Sequence, residues 1–140
     1  MPSSSFTKFE VFSENLAEKV HNLDTDTLKI YLSNTSPNVA THAVKGDLAE
    51  ITNQNGYTAP VDTQNATSRS GGTTSITGVD VLITASGGTV GPFRYVVLYN
   101  DTPTSPADPL IGYWDYGSAI TLNDGDSFNT DFGSSMFTVA

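Results

Sequence analysis

The chain reads as an all-β protein, of β-sandwich, jelly-roll or Greek-key type, with one amphipathic helix at its N-terminus. Three observations carry that reading. Short runs of alternating apolar residues recur through the second half, separated by Gly, Asn and Asp turns. The composition is turn-rich, with 12 Gly and 7 Pro in 140 residues, and only 15% of the side chains are charged. The run GPFRYVVLYNDTPTSPADPLIGYWD, Gly91 to Asp115, holds two aromatic and β-branched segments around a proline- and aspartate-rich loop. Such segments fit a pleated, half-buried surface, so the run predicts a long-looped hairpin at the centre of a sheet. The length suits one domain with a sizeable core.

The elements follow in order. Residues 1–5 are a polar lead-in. Phe6, Phe9, Phe12, Leu16, Val20 and Leu23 recur at spacings of three and four, which predicts a helix over 6–20 with one apolar face. Thr7 with Glu10, or Ser5, would cap it. Residues 1–22 then form an N-terminal arm or helix, and 23–140 the β-sandwich domain. The phenylalanine face has two readings: packing on its own domain, or docking on another subunit.

Leu28 to Ser33 alternates, with Leu28, Ile30 and Leu32 on one face and Lys29, Tyr31 and Ser33 on a wet face. Residues 34–57 turn irregular, with Ser36-Pro37-Asn38 as a turn, one helical turn near Asp47 to Ile51, and Asn55-Gly56 as a tight turn. Residues 58–75 read as a solvated loop or edge strand broken at Gly71-Gly72. Val79, Val81 and Ile83 alternate with Asp80, Leu82 and Thr84, and Ser86-Gly87-Gly88 turns the chain. After the hairpin come Ala119 to Leu122, the turn Asn123-Asp124-Gly125-Asp126, Ser127 to Phe132, and a closing strand from Met136 to Val139. In the hairpin, Phe93, Tyr95, Val97 and Tyr99 share one face, and Arg94, Val96 and Leu98 the other. Both faces are largely apolar, so the strand needs two covers: its own core, and a second sheet or another subunit.

The net charge of -9 disfavours nucleic acid and anionic membrane surfaces as partners. With no cysteine, disulfides and thiolate metal sites are excluded. No basic-then-apolar leader is visible, and no run approaches the roughly 18 apolar residues of a membrane span, so a soluble protein is expected. His21 and His42 have no Glu or His at metal spacing, no serine sits in a nucleophile elbow, and Gly87 to Gly91 lacks the lysine of a phosphate loop. Carboxylates gather at Asp24 and Asp26, at Asp101 and Asp108, and at Asp124, Asp126 and Asp131. Asn123 to Asp126 resembles half a calcium loop but lacks the later glutamate, and the bland reading is a hairpin turn with its carboxylates in solvent. No catalytic, cofactor or metal site is therefore expected, and the chain reads as non-enzymatic. Its chemistry-bearing residues are aromatic. Phe6, Phe9 and Phe12 on the helix, with Phe93, Tyr95, Tyr99, Tyr113 and Trp114 on the hairpin, are candidates for a subunit or partner interface. The tyrosines and Trp114, with Tyr116, also offer the residues of a sugar-stacking platform.

A set of motifs is familiar as a group. It comprises LDTDTLKIYL at Leu23–Leu32 followed by Ser33-Asn34-Thr35-Ser36-Pro37, and the turn Asn55-Gly56-Tyr57. It continues through Thr84-Ala85-Ser86-Gly87-Gly88, Gly91-Pro92-Phe93-Arg94-Tyr95 and Leu98-Tyr99-Asn100-Asp101, and closes on Pro109-Leu110-Ile111-Gly112-Tyr113-Trp114-Asp115-Tyr116-Gly117. As a set, covering most of residues 23–139, it resembles small β-rich structural proteins of tailed-bacteriophage virions. The segment at 6–20 is less family-like. The resemblance implies a capsid decoration, or cement, protein: a homotrimer on the virion surface that binds the major capsid protein lattice and stabilises the head by binding alone. Tail-fibre or baseplate parts share the composition, and a carbohydrate-binding module is the alternative of a different class.

Overall fold

The computed structural model describes residues 5–140; all of the polar lead-in at residues 1–5 except Ser5 lies outside that range. The described chain begins in a strand, not a helix. β1 (Phe6–Lys8) is followed by α1 (Glu10–Ala17), so the helix expected over 6–20 is corrected to eight residues. The backbone decides this. Lys8 is paired opposite Gly112, the Phe9 N–H donates to the Ile111 carbonyl at 3.0 Å, and Phe9 itself is extended, with φ -73°. Neither Ser5 nor Thr7 caps the helix, because the N-cap position is Phe9. At the other end Lys19 adopts φ 67° and the Val20 N–H turns back to the Asn15 carbonyl, which stops the helix before Val20 and Leu23 can join it.

The remaining strands are β2 (Leu28–Ser33), β3 (Val61–Asp62), β4 (Ala66–Ser70), β5 (Thr73–Thr77), β6 (Val81–Thr84), β7 (Val90–Asn100), β8 (Leu110–Leu122), β9 (Ser127–Thr130) and β10 (Phe137–Val139). The protein is mainly β, built from several antiparallel sheets, with no closed barrel among the described residues. β1-β8-β7-β2-β3 form a five-stranded sheet, β10-β5-β4 a three-stranded one, and β6-β9 a two-stranded ribbon. The hairpin from Gly91 to Asp115 is the β7–β8 pair at the centre of the large sheet. The stretch 58–75 is more ordered than a solvated loop: Gly71-Gly72 is the turn of a β4–β5 hairpin.

Two apolar clusters lie on opposite faces of the large sheet. The first joins Leu28, Ile30, Leu32, Val96, Leu98 and Ile111 to Ile76, Ile83, Phe128 and Phe137 from the two smaller sheets. The second holds Tyr31, Tyr95, Val97, Tyr99 and Leu110 with Phe9 and Leu48. The wet face expected on β2 is corrected here, since Tyr31 and Ser33 are both fully buried. The second cover comes from the chain itself: Leu48 and Val39 from the irregular segment 34–57, and Phe9 and Val11 from around α1. A neighbouring subunit is not needed to bury β7.

Phe93 is also on the other face from the one its spacing predicts. It pairs with Ile120, whereas Tyr95 pairs with Asp115, so residues of β8 between Asp115 and Ile120 are looped out. Gly117, at φ 102°, makes this bulge without Cβ strain. The local twist turns Phe93 into the first cluster, where its ring meets Phe128 at 5.0 Å, while Tyr95 stays in the second.

Candidate functional site

Of the eight interface candidates, Phe9, Phe12, Phe93, Tyr95 and Tyr99 are buried inside the chain. Phe9 and Phe12 belong to different clusters, so they do not form one phenylalanine face. Residues 6–12 supply an edge strand and two core side chains. Phe6, Tyr113 and Trp114 are half-buried and lie together where β1 runs along β8. With Tyr116 they make an aromatic strip, the best candidate for a binding surface.

Strand alternation gives this strip two sides. Trp114 points toward the first cluster, its ring 5.1 Å from Phe6 and 5.4 Å from Phe132. Phe6 continues the line by stacking on Phe137 at 4.9 Å. Tyr113 points the opposite way, toward Phe9 at 5.8 Å and Tyr95 at 5.9 Å. Tyr113 and Trp114 therefore cannot lie under one sugar ring, which weakens the glycan platform. Gly112 makes the arrangement possible: a Cβ there would fall 2.1 Å from Cζ of Phe6 and 2.7 Å from the Thr7 carbonyl oxygen.

One ion pair borders the strip. Arg94 donates through Nε to Asp115 Oδ1 at 2.8 Å and through Nη2 to Oδ2 at 3.1 Å, and its guanidinium lies 5.4 Å from the Tyr95 ring. Hydrogen bonds from Arg94, then from the Gly117 N–H, hold the Asp115 carboxyl below its ordinary range. Both side chains are more than a third exposed, so the pair fixes geometry more than it adds stability.

Asp124, Asp126 and His42 serve the backbone. Asp124 Oδ1 accepts from the Gly87 N–H at 3.0 Å and Asp126 Oδ2 from the Asn123 N–H at 3.0 Å, so these carboxylates close turns. His42 Nδ1 accepts from the Asn38 N–H at 3.0 Å, inside a local turn. Asp108 is pushed above the usual carboxylate range by burial and then by Asp101, which itself pairs with Lys29 at 2.9 Å. Burial also drives the Tyr31, Tyr57 and Tyr99 phenols far above their ordinary range, leaving them as neutral hydrogen-bonding groups. Among the described residues no three His, Asp or Glu side chains converge to hold a metal ion. The arrangement is equipped for contact, through rings and one guanidinium.

Two surface residues stand outside the eight candidates. Among the described residues Val79 and Leu82 are the exposed large apolar side chains, at 53% and 64%. Alternation sets Leu82 with Asp80 and Thr84 on the outer face, but it groups Val79 with the buried Val81 and Ile83; Val79 precedes β6 and is exposed instead.

Compared with protein-family models, curated proteins and solved structures, the chain matches none.

Proposed function

We propose that the protein is a non-enzymatic structural component of a tailed-phage virion, a capsid decoration protein that binds the major capsid protein lattice as a homotrimer. One observation carries the reading. Most of the motifs behind the phage resemblance, all but Asn55-Gly56-Tyr57 and Thr84 to Gly88, fall on or run into β2, β7 and β8, the three adjacent middle strands of the five-stranded sheet. The finer architecture we assign is a β-sandwich, with that sheet facing the two smaller ones across the first cluster. Because both faces of β7 are covered internally, the surface assigned to partner contact is the β1–β8 margin, with Phe6, Tyr113, Trp114 and Tyr116 beside the Arg94–Asp115 pair. The mechanism is preferential binding: affinity for the mature lattice lowers that state relative to others.

The test is the copy number in purified particles, measured by quantitative mass spectrometry, together with co-sedimentation of the pure protein with empty heads. Hundreds of copies per particle and saturable binding to heads are expected. A few copies would point to a tail fibre or baseplate, and no binding to heads would overturn the cementing role.

A further inference from the structure

His21 is a buried titratable group that the proposed function leaves unused. It lies in the connection between α1 and β2 and is only 6% exposed. Its Nδ1 is 3.0 Å from Nδ2 of Asn100, the fully buried last residue of β7. The Asn100 amide is pinned from both ends. Nδ2 also donates to Asp26 Oδ2 at 2.7 Å, and Oδ1 accepts from the Thr102 N–H at 3.1 Å. An amide nitrogen only donates, so His21 Nδ1 must accept, and the ring is neutral with its proton on Nε2.

Adding a proton sets donor against donor at Nδ1. Flipping Asn100 to relieve this would break its bonds to Asp26 and Thr102. The other ring nitrogen offers no relief, because Nε2 is buried without a hydrogen-bond partner among the described residues. Phe12 packs at 5.2 Å from the imidazole. The charged groups nearby are Asp26, Asp24 and Lys19 on the connection itself, while the facing sheet contributes Thr67, Thr74, Ile76 and Val139 to the shared cleft. From β7 the contact is the uncharged Asn100.

We infer that His21 is an acid-sensitive latch: neutral, it fastens the α1–β2 connection to the end of β7, and protonated, it releases that connection. The cleft beside it, about 500 Å³ and floored by Leu16, Val20, Ile76 and Val139, is the space into which the connection opens. Burial lowers the His21 pKa from its ordinary 6.5, and this outweighs the attraction of Asp26. The unfolded or opened state therefore binds the proton more readily. The latch is fully closed above pH about 7.5 and weakens as pH falls through 6.5 toward the folded-state value. The inference stands independently of the virion role.

Proton NMR of the intact protein tests it, with His42 as the internal comparison. The His21 ring is expected to titrate below 6.5. Amide exchange over residues 18–26, corrected for intrinsic rates, should speed up several-fold between pH 7.5 and 5.0, because the opened state takes up the proton more readily. Amides at the centre of β7 and β8 should not follow. Asn100→Asp, which replaces the facing donor by an acceptor, should raise the His21 titration above 6.5. His21→Gln should abolish the local pH dependence. A wild-type His21 that titrates at or above 6.5 overturns the latch, and so does unchanged pH-dependent opening in a folded His21→Gln protein. Should a variant not fold, the wild-type titration decides alone.

Discussion

The five-stranded sheet is covered in two different ways. On one face lie two smaller sheets, whose apolar residues alternate along regular strands: Ile76 on β5, Val81 and Ile83 on β6, Phe128 on β9. On the other lies irregular chain, the segment 34–57 with Phe9, and it meets the sheet through polar anchors as much as through apolar contact. Tyr31 Oη donates to the Leu48 carbonyl at 2.9 Å, and Ser33 Oγ to the Ala49 carbonyl. Lys45 lies 5.0 Å from the Tyr31 ring centre and 5.8 Å from that of Tyr99, and pairs with Glu50 at 2.8 Å. A loop buried against a sheet must satisfy its backbone groups from side chains, because it has no ladder to do so. Tyr31, Tyr95, Tyr99 and Tyr113, each with an apolar body and a polar tip, lie on this side.

The comparison is most exposed by removing one ring from each face. Phe93→Ala, on the sheet-covered side, and Phe9→Ala, on the loop-covered side, should each cost about 3–5 kcal/mol, the range for deleting a buried large aromatic. Both residues are fully buried. Urea unfolding monitored by Trp114 fluorescence measures both. A Phe9→Ala cost below about 1 kcal/mol would mean that the loop cover is a loose lid that repacks, and the two faces would not be equivalent parts of one core.

That contrast also explains what the sequence disclosed. Period-two alternation marked β2, β6 and β7, the Asn123–Asp126 turn set off β9, and aromatic and β-branched composition around a proline-rich loop located the central hairpin, because those residues answer to a sheet. Alternation did not show that Tyr31 and Ser33 are buried, since their cover is a segment with no period of its own. The spacing of Phe6, Phe9 and Phe12 imitates a helix although the three serve a strand, an N-cap and a helix in turn. Parity failed at Phe93 for a similarly local reason, the bulge at Gly117. In the candidate site, Tyr113 and Trp114 were legible as aromatic, but their opposite orientations follow only from their place on β8. Leu82 was readable as the outward member of its strand and carried no pattern to single it out.

Gly112→Ala should cost about 1–3 kcal/mol, the usual penalty of overpacking, because the new methyl meets Phe6 and the Thr7 backbone. The Phe6 ring can move, but the Thr7 carbonyl belongs to the strand, so β1 must shift as well. Amide exchange should then show lost protection at residues 6–9, and unchanged protection there would mean that β1 is not held as described.

A third substitution separates polar from apolar anchoring. Tyr31→Phe keeps the ring against Tyr99 but strands the buried Leu48 carbonyl, for about 1–3 kcal/mol. Its neighbour on the opposite face, Ile30→Val, removes one methylene and should cost about 0.5–1.5 kcal/mol. If the two losses prove equal, or the order reverses, the loop-covered face is held by packing in the same way as the other.

The smallest expected effect is at Leu82, and there it is the pairing of two readouts that counts. Leu82 stands opposite Asn129 on the two-stranded β6–β9 ribbon and is 64% exposed. Leu82→Ser should change stability by no more than about 0.5 kcal/mol, because it leaves no cavity and strands no polar group. The ribbon's hold on the core comes from Val81, Ile83 and Phe128, which face inward. A single exposed leucine is ordinary on a protein surface, but with Val79 nearby in sequence it marks the ribbon as a rival to the β1–β8 margin for partner contact. Binding to heads should therefore be compared for Leu82→Ser and Tyr113→Ser, each first shown to be folded by its melting curve. If the margin makes the contact, Tyr113→Ser weakens binding and Leu82→Ser does not. The reverse result would move the contact surface to the ribbon and leave the aromatic strip as part of the chain's own packing.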